Sequence, residues 1–325
     1  MLLEKLYFFN KLIFLILISF IYIFIIIHYN FLNLKVCICT IGKNENKYAR
    51  EFVEYYKKYG IDNIFIYDNN DINGESFDVV LNDYIKSGFI KIINIRGKIK
   101  MQYPAFNHCY QENKKVYDWL IFYDMDEYIH LANINNIKKY LNKVYFHKCN
   151  VIYLNQFMHT DNDHIYYYNK SLFQRFPNAT LNFSKELGIT KMILKGNIEK
   201  INITNPHILI TKNQCNSVGK LLKLLKTEDF FNNNFYYDHF YSKSSEEYLN
   251  KLKQLLENLE KQIETGKFNI CFGTKKAARQ QARGELSSKK FIELRDRQIC
   301  FIGSCNEPCR NSQFQMTYNP KNNQF

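Results

Sequence analysis

Proline and glycine are scarce, with five prolines and twelve glycines in 325 residues. That excludes collagen-like, proline-rich and low-complexity chains. No CxxC pair occurs, and no segment repeats at solenoid or propeller period, so a zinc ribbon and a stacked-repeat fold are set aside. Acidic residues are in the minority, 31 against 44 basic, for a formal charge of +13. The basic residues are spread along the chain rather than gathered in a patch, which argues against a nucleic-acid partner. Apolar residues abound at 46% and aromatics at 16%, which excludes a mainly disordered protein. The length suits two domains of roughly 100–200 residues, or one large α/β domain.

One apolar run stands apart. LIFLILISFIYIFIII fills Leu12–Ile27, and HYNFL carries it to Leu32. A bilayer core needs about 20 such residues. A cleaved signal peptide would have a shorter apolar core ending in small residues, whereas this run ends in His28, Tyr29 and Asn30. The expectation is a signal anchor over 12–32 after a short cytosolic segment 1–11, with a type II body in a lumen such as that of the Golgi or endoplasmic reticulum. The flanking charge bias, Lys5 and Lys11 before and Lys35 and Lys43 after, is weak.

Nine cysteines bear on that compartment. Cys271, Cys300, Cys305 and Cys309 lie towards the C-terminus and read first as disulfides stapling a tail, with free thiols and zinc as alternatives. Cys37 and Cys39 alternate with Val36 and Ile38 and read as small core residues. Glycosylation sequons at Asn169, Asn178, Asn182 and Asn202 fit a lumenal surface.

From Val36 the pattern alternates between short apolar runs and helical periodicity. Strands are expected at 36–41, 63–67, 89–95 and 119–123, with helices at 45–59, 77–86 and 104–115 between them. Such alternation implies a mostly parallel sheet flanked by helices, whose ligands sit beyond the carboxyl ends of the strands. Three loops deliver polar groups to that rim: Lys43, Asn44 and Glu45; Asp68, Asn69 and Asn70; Asp124, Asp126 and Glu127. A strand over 151–157 and a polar turn over 160–164 follow. Ser244 and Glu247 match a capping box before an amphipathic helix whose apolar face runs from Leu249 to Ile263. An Asp-x-Asp at a strand end can hold a hard divalent ion that shares its shell with phosphate oxygens.

The strings TIGKNENKYAREFVEYYKKYGIDNIFIYDNND and PAFNHCYQENKKVYDWLIFYDMDEYI resemble the glycosyltransferase family 92 group and the related family-2-like enzymes of the GT-A fold. So do Lys191-Met-Ile-Leu, Asn205-Pro206-His207 and FYSKSSEEYLNKL preceded by Tyr237-Asp238-His239, all in the family's order between about Val36 and Leu259. The resemblance implies a GT-A-like transferase domain over 36–265, followed by a basic extension over 266–325. It implies transfer of a sugar, galactose by family analogy, from a UDP-type nucleotide-diphosphate donor to a glycan acceptor, with inversion and with Mn²⁺ or Mg²⁺. Asp124 and Asp126 match the metal pair, Asp126 the better candidate for coordination and Asp124 for ribose or a second contact. His239 matches a third ligand, with His207 its rival. Lys43, Asn44, Glu45, Asp68 and Asn107 match positions around the nucleotide. Asp161 or Asp163 lies where a general base is needed, although this chain reads FMHTDNDH where the family often has a glycine-containing turn. A glycan-binding protein without turnover is the alternative.

Overall fold

Val36–Gly42 (β1) is the most deeply buried strand of the chain's first third, and its apolar run has no polar alternation because both faces are covered. In the computed structural model it pairs in parallel with Asn63–Asp68 (β2) and with Trp119–Phe122 (β4), and β2 pairs in parallel with Ile90–Asn94 (β3). The structure describes residues 11, 13–22, 34–180, 190–209, 211–222 and 230–253. Helices Asn46–Lys58 (α1), Phe77–Lys86 (α2) and Gln102–Asn113 (α3) connect these four strands, close to the expected bounds. Helix α1 buries Phe52, Val53 and Tyr56, which recur at helical spacing, together with Tyr48 and Ala49, while Tyr59, the next in the expected stripe, is half-buried. It ends at Gly60, whose φ of 84° is left-handed and where a Cβ would lie 2.4 Å from Asn136 Nδ2.

The remaining elements are Glu127–Leu131 (β5), Ile137–Leu141 (α4), Val151–His159 (β6), Leu172–Arg175 (α5), Ala179–Thr180 (β7), Thr190–Lys195 (β8), Gln214–Asn216 (β9) and Phe235–His239 (β10). The strand order is β3-β2-β1-β4-β8-β6-β10-β5, with β7 and β9 paired to β6. The expected parallel arrangement holds for the first four strands and recurs where β9 pairs in parallel with β6. β8 enters antiparallel to β4, and β7 antiparallel to β6, so the sheet is mixed. A chain that turns back beside its own strand gives an antiparallel pair, and hydrophobicity alone does not report direction.

The chain divides into two compact units. The first comprises 1–154, 190–225 and 232–236; the second comprises 155–189, 226–231 and 237–325. The second unit opens its helix over 245–253 with the expected capping box. The Ser244 N–H donates to Glu247 Oε2 at 3.1 Å, and the Glu247 N–H donates to Ser244 Oγ at 3.4 Å.

Among the described residues no helix is long and apolar enough to cross a membrane. Of the expected 12–32 anchor, residues 13–22 are described, as a helix whose large apolar side chains are exposed. The rest of the anchor, Asn182, Cys271, Cys300, Cys305, Cys309, the apolar helix face beyond residue 253 and the 266–325 extension lie outside the described residues.

One cysteine reading is corrected. Cys39 is a disulfide partner of Cys109, tying β1 to α3, and Cys149 is bonded to Cys215. Cys37, two residues earlier and so on the same face of β1, is the buried free thiol among the described residues. Local alternation marks a buried cysteine but carries no information about a partner 70 residues away.

Candidate active site

The strand order of the first unit reverses between β1 and β4, and in open α/β sheets ligands bind beyond the carboxyl ends at such a reversal. The loop after β1 and the turn after β4 both emerge there. Gly42, the last residue of β1, packs so tightly that a Cβ would lie 2.8 Å from Met125 Sδ, between the two aspartates. Lys43, Asn44 and Glu45 therefore stand next to Asp124-Met125-Asp126, as their strand-end positions imply.

The first two loops are sewn together. Lys43 pairs with Asp71 at 2.9 Å, the Asn44 N–H donates to Asn70 Oδ1 at 2.7 Å, and the Asn46 N–H donates to Glu75 Oε1 at 2.9 Å. Glu45 is the residue before α1, and its carbonyl accepts from the N–H groups of Tyr48 and Ala49. Asp68, at the end of β2, is 2% exposed and organises this region. Its Oδ1 accepts from the backbone N–H and side-chain amide of Asn70, and its Oδ2 meets Arg96 Nε at 3.2 Å. Arg96 in turn donates to the carbonyls of Gly74 and Glu75. Asn107 is engaged at both ends of its amide by Ile203, donating to its carbonyl and accepting from its N–H, each at 2.7 Å. That clamp holds the chain after β8 against α3.

The acidic turn carries the strongest electrostatics. Asp124 Oδ2 lies 2.7 Å from Lys191 Nζ, and its Oδ1 accepts from Gln102 Nε2 at 3.1 Å. Glu127 Oε2 accepts from the Asp124 N–H at 3.0 Å and stands 3.0 Å from the same lysine. Tyr56 of α1 donates its hydroxyl to the Glu127 carbonyl and accepts the Ile129 N–H, which fixes the start of β5. Lys191 is 1% exposed, Asp126 5% and Glu127 fully buried. Burial pushes Glu127 up to about 8, against the pull of Lys191 and with the help of Asp124 and Asp126. Burial would lower Lys191, but Asp124 and Glu127 hold it above its ordinary value.

Asp124 and Glu127 thus share one buried lysine, and Asp126 lies near enough to raise Glu127 further, an acidic cluster that a hard divalent cation would balance. These donors fit Mn²⁺ or Mg²⁺, which take carboxylate oxygens and keep positions for phosphate. Both oxygens of Asp124 are engaged, by Lys191 and Gln102. Sequence reasoning gives Lys191 no role of its own. Its signal was a lone cation in the buried strand pattern TKMIL, which calls for a carboxylate partner.

His207, the rival ligand, donates Nδ1–H to the Thr190 carbonyl at 2.8 Å, and Thr190 returns its hydroxyl to the His207 carbonyl. Burial and the charge of Lys191 pull it down to about 4.

In the second unit, His239 ends β10, with Nδ1 2.8 Å from Gln156 Oε1. Asp238 points to the other face of that strand and meets His159 Nε2 at 2.7 Å, both buried. Asp161 folds onto its own turn, accepting from the Asp163 N–H at 3.2 Å. Asp163 is exposed with a left-handed φ of 59°. Sequence reasoning named Asp238 without a role and missed Gln156 and His159; polar residues in an apolar strand were the available signal.

Fold and rim together define a Rossmann-like α/β protein with an acidic turn at the switch point. Residues 33–238 match the family model described as glycosyltransferase family 92, and the chain belongs to that family. A family 92 protein of Ricinus communis is 31% identical over 104 residues, 32% of this chain and 18% of that protein. One of Oryza sativa subsp. japonica is 29% identical over 107 residues, 33% of this chain and 18% of its own length. The matched region is thus under a fifth of these relatives. Among solved structures, S. aureus TarS 1–349 aligns with a TM-score of 0.33 and 16% identity, covering 50% of this chain and 47% of that one.

Proposed function

We propose that this chain is a membrane-anchored, metal-dependent glycosyltransferase that moves a sugar from a UDP-type nucleotide-diphosphate donor to a hydroxyl of a glycan acceptor. Family 92 membership carries the reading, because the matched region includes the acidic turn at the sheet's switch point. In this reading Asp126 and His239 hold Mn²⁺ or Mg²⁺, and Asp124, oriented by Lys191 and Gln102, faces the ribose side of the donor. Lys43, Asn44, Glu45 and Asp68 shape the nucleotide end. A bound divalent cation would supply Lewis-acid neutralisation of the diphosphate leaving group. Lys191 adds a fixed positive charge at the same rim, held in place before reaction and so costing no reorganisation. The acceptor oxygen forms its bond to the anomeric carbon as the bond to the diphosphate breaks, and its proton passes to Asp161 or Asp163. Attack from the face opposite the leaving group inverts the anomeric centre, and galactose is the sugar favoured.

Anchoring through 12–32 with a lumenal body belongs to the same proposal. Two disulfides and exposed asparagines at the sequons 169, 178 and 202 support an oxidising compartment. The test is release of nucleoside diphosphate by the purified full chain with Mn²⁺ across a panel of nucleotide sugars. No release from any donor, with the melting temperature still rising on donor addition, would favour glycan or nucleotide binding without turnover.

A further inference from the structure

Gln156 is 1% exposed in β6, where a long polar amide is costly unless its hydrogen bonds are made. Its Oε1 accepts from the Tyr237 hydroxyl at 3.1 Å and lies 2.8 Å from His239 Nδ1. Its Nε2 is buried without a hydrogen-bond partner among the described residues. The molecule thus keeps a buried amide N–H unsatisfied while aiming the amide oxygen at one nitrogen of one histidine, and such a retained cost calls for a function. Tyr237 and His239 sit two apart on β10 and so share a face, and Gln156 touches both.

An amide oxygen accepts only. A hydrogen bond to it requires the proton on Nδ1, which leaves the lone pair of a neutral imidazole on Nε2. In water the neutral ring prefers the opposite tautomer, with Nε2–H. We propose that Gln156 is a positioning residue that sets the tautomer of His239, so that the ring turns its Nε2 lone pair, rather than an N–H, to a divalent cation. This deepens the metal reading above and rests on it. Histidine ligands elsewhere are oriented by just such a partner on the second nitrogen, and Tyr237 extends the chain by holding Gln156.

The experiment has two readouts on the full chain. Long-range nitrogen–proton NMR of ¹⁵N-histidine-labelled protein at pH 8 without metal, assigned with His239→Ala, should show His239 as the Nδ1–H tautomer. Gln156→Leu, close in volume, should move it to Nε2–H, whereas Gln156→Glu, which keeps an acceptor, should not. Mn²⁺ titration followed by electron paramagnetic resonance should then show a loss of about 10–100-fold in affinity for Gln156→Leu and near-normal binding for Gln156→Glu. A wild-type Nε2–H tautomer, or an Nδ1–H tautomer that survives in Gln156→Leu, overturns the proposal whatever the metal does. A tautomer that flips with Mn²⁺ affinity unchanged removes His239 as a ligand and the proposal with it. A wild-type chain that binds no Mn²⁺ overturns the metal reading itself.

Discussion

The ammonium of Lys191 stands 2.7 Å from Asp124 Oδ2 at the carboxyl end of β4. β8, which carries Lys191, runs antiparallel beside β4, so the lysine meets the aspartate across strands 67 residues apart in sequence. The same ammonium reaches Glu127 at 3.0 Å and so ties the start of β5 to the end of β4.

Removing that cation exposes its structural part. Lys191→Met leaves the buried Glu127 beside the half-buried Asp124 with no cation between them, and unfolding in denaturant should show a loss of about 3–5 kcal/mol. Adding Glu127→Gln should restore much of it, because the uncompensated buried charge goes with the carboxylate. A single variant as stable as the parent would remove the lysine from the electrostatic balance.

Asp126→Asn should leave the fold intact and lower Mn²⁺-dependent donor affinity by at least about 100-fold, with Lewis-acid chemistry lost alongside. Calorimetric titration of the donor with and without Mn²⁺ measures this. Donor affinity equal to wild type would move the cation elsewhere.

His207 makes stability depend on pH. Burial, then Lys191, holds its folded value at about 4, below the ordinary 6.5, so between these limits the unfolded chain binds the extra proton. Stability should be complete above about pH 6.5, fall as the pH drops towards 4, and level off below, for a total of roughly 3 kcal/mol. His207→Gln should flatten that window relative to wild type in denaturant titrations at pH 4.5 and 7.5.

Each disulfide closes a long loop, with separations of 70 and 66 residues. Chain-entropy arguments put the gain at about 4 kcal/mol for such a loop. Non-reducing peptide mapping should recover Cys39–Cys109 and Cys149–Cys215, and Cys109→Ser should lower the unfolding free energy by an amount of that order. Recovery of Cys39 as a free thiol from protein made in an oxidising compartment would contradict the pairing.

Much of the first unit was legible beforehand. The periodicity of 45–59 marked α1, Gly60 its end, and WLIFY the strand that presents Asp124. Ser244 and Glu247 announced their capping box because its two bonds span only three residues. The candidate site was legible in its carboxylates but not in their partners. Asp68 with Arg96, Asn107 with Ile203 and Asp124 with Lys191 are all matched across 28 residues or more. The amide of Asn107 looked available to a nucleotide, but it is used on backbone groups that no local pattern reveals.

The division follows from the range of the forces. Helix stripes, strand runs, caps and the acidic turn depend on backbone geometry within a few residues, so the order of side chains suffices to state them. Strand order, the antiparallel entry of β8, the pairing of cysteines and the burial of Lys191 among carboxylates depend on which distant segments share one core. Desolvation and Coulomb energies there are set by neighbours in space, and only the packed chain supplies those neighbours.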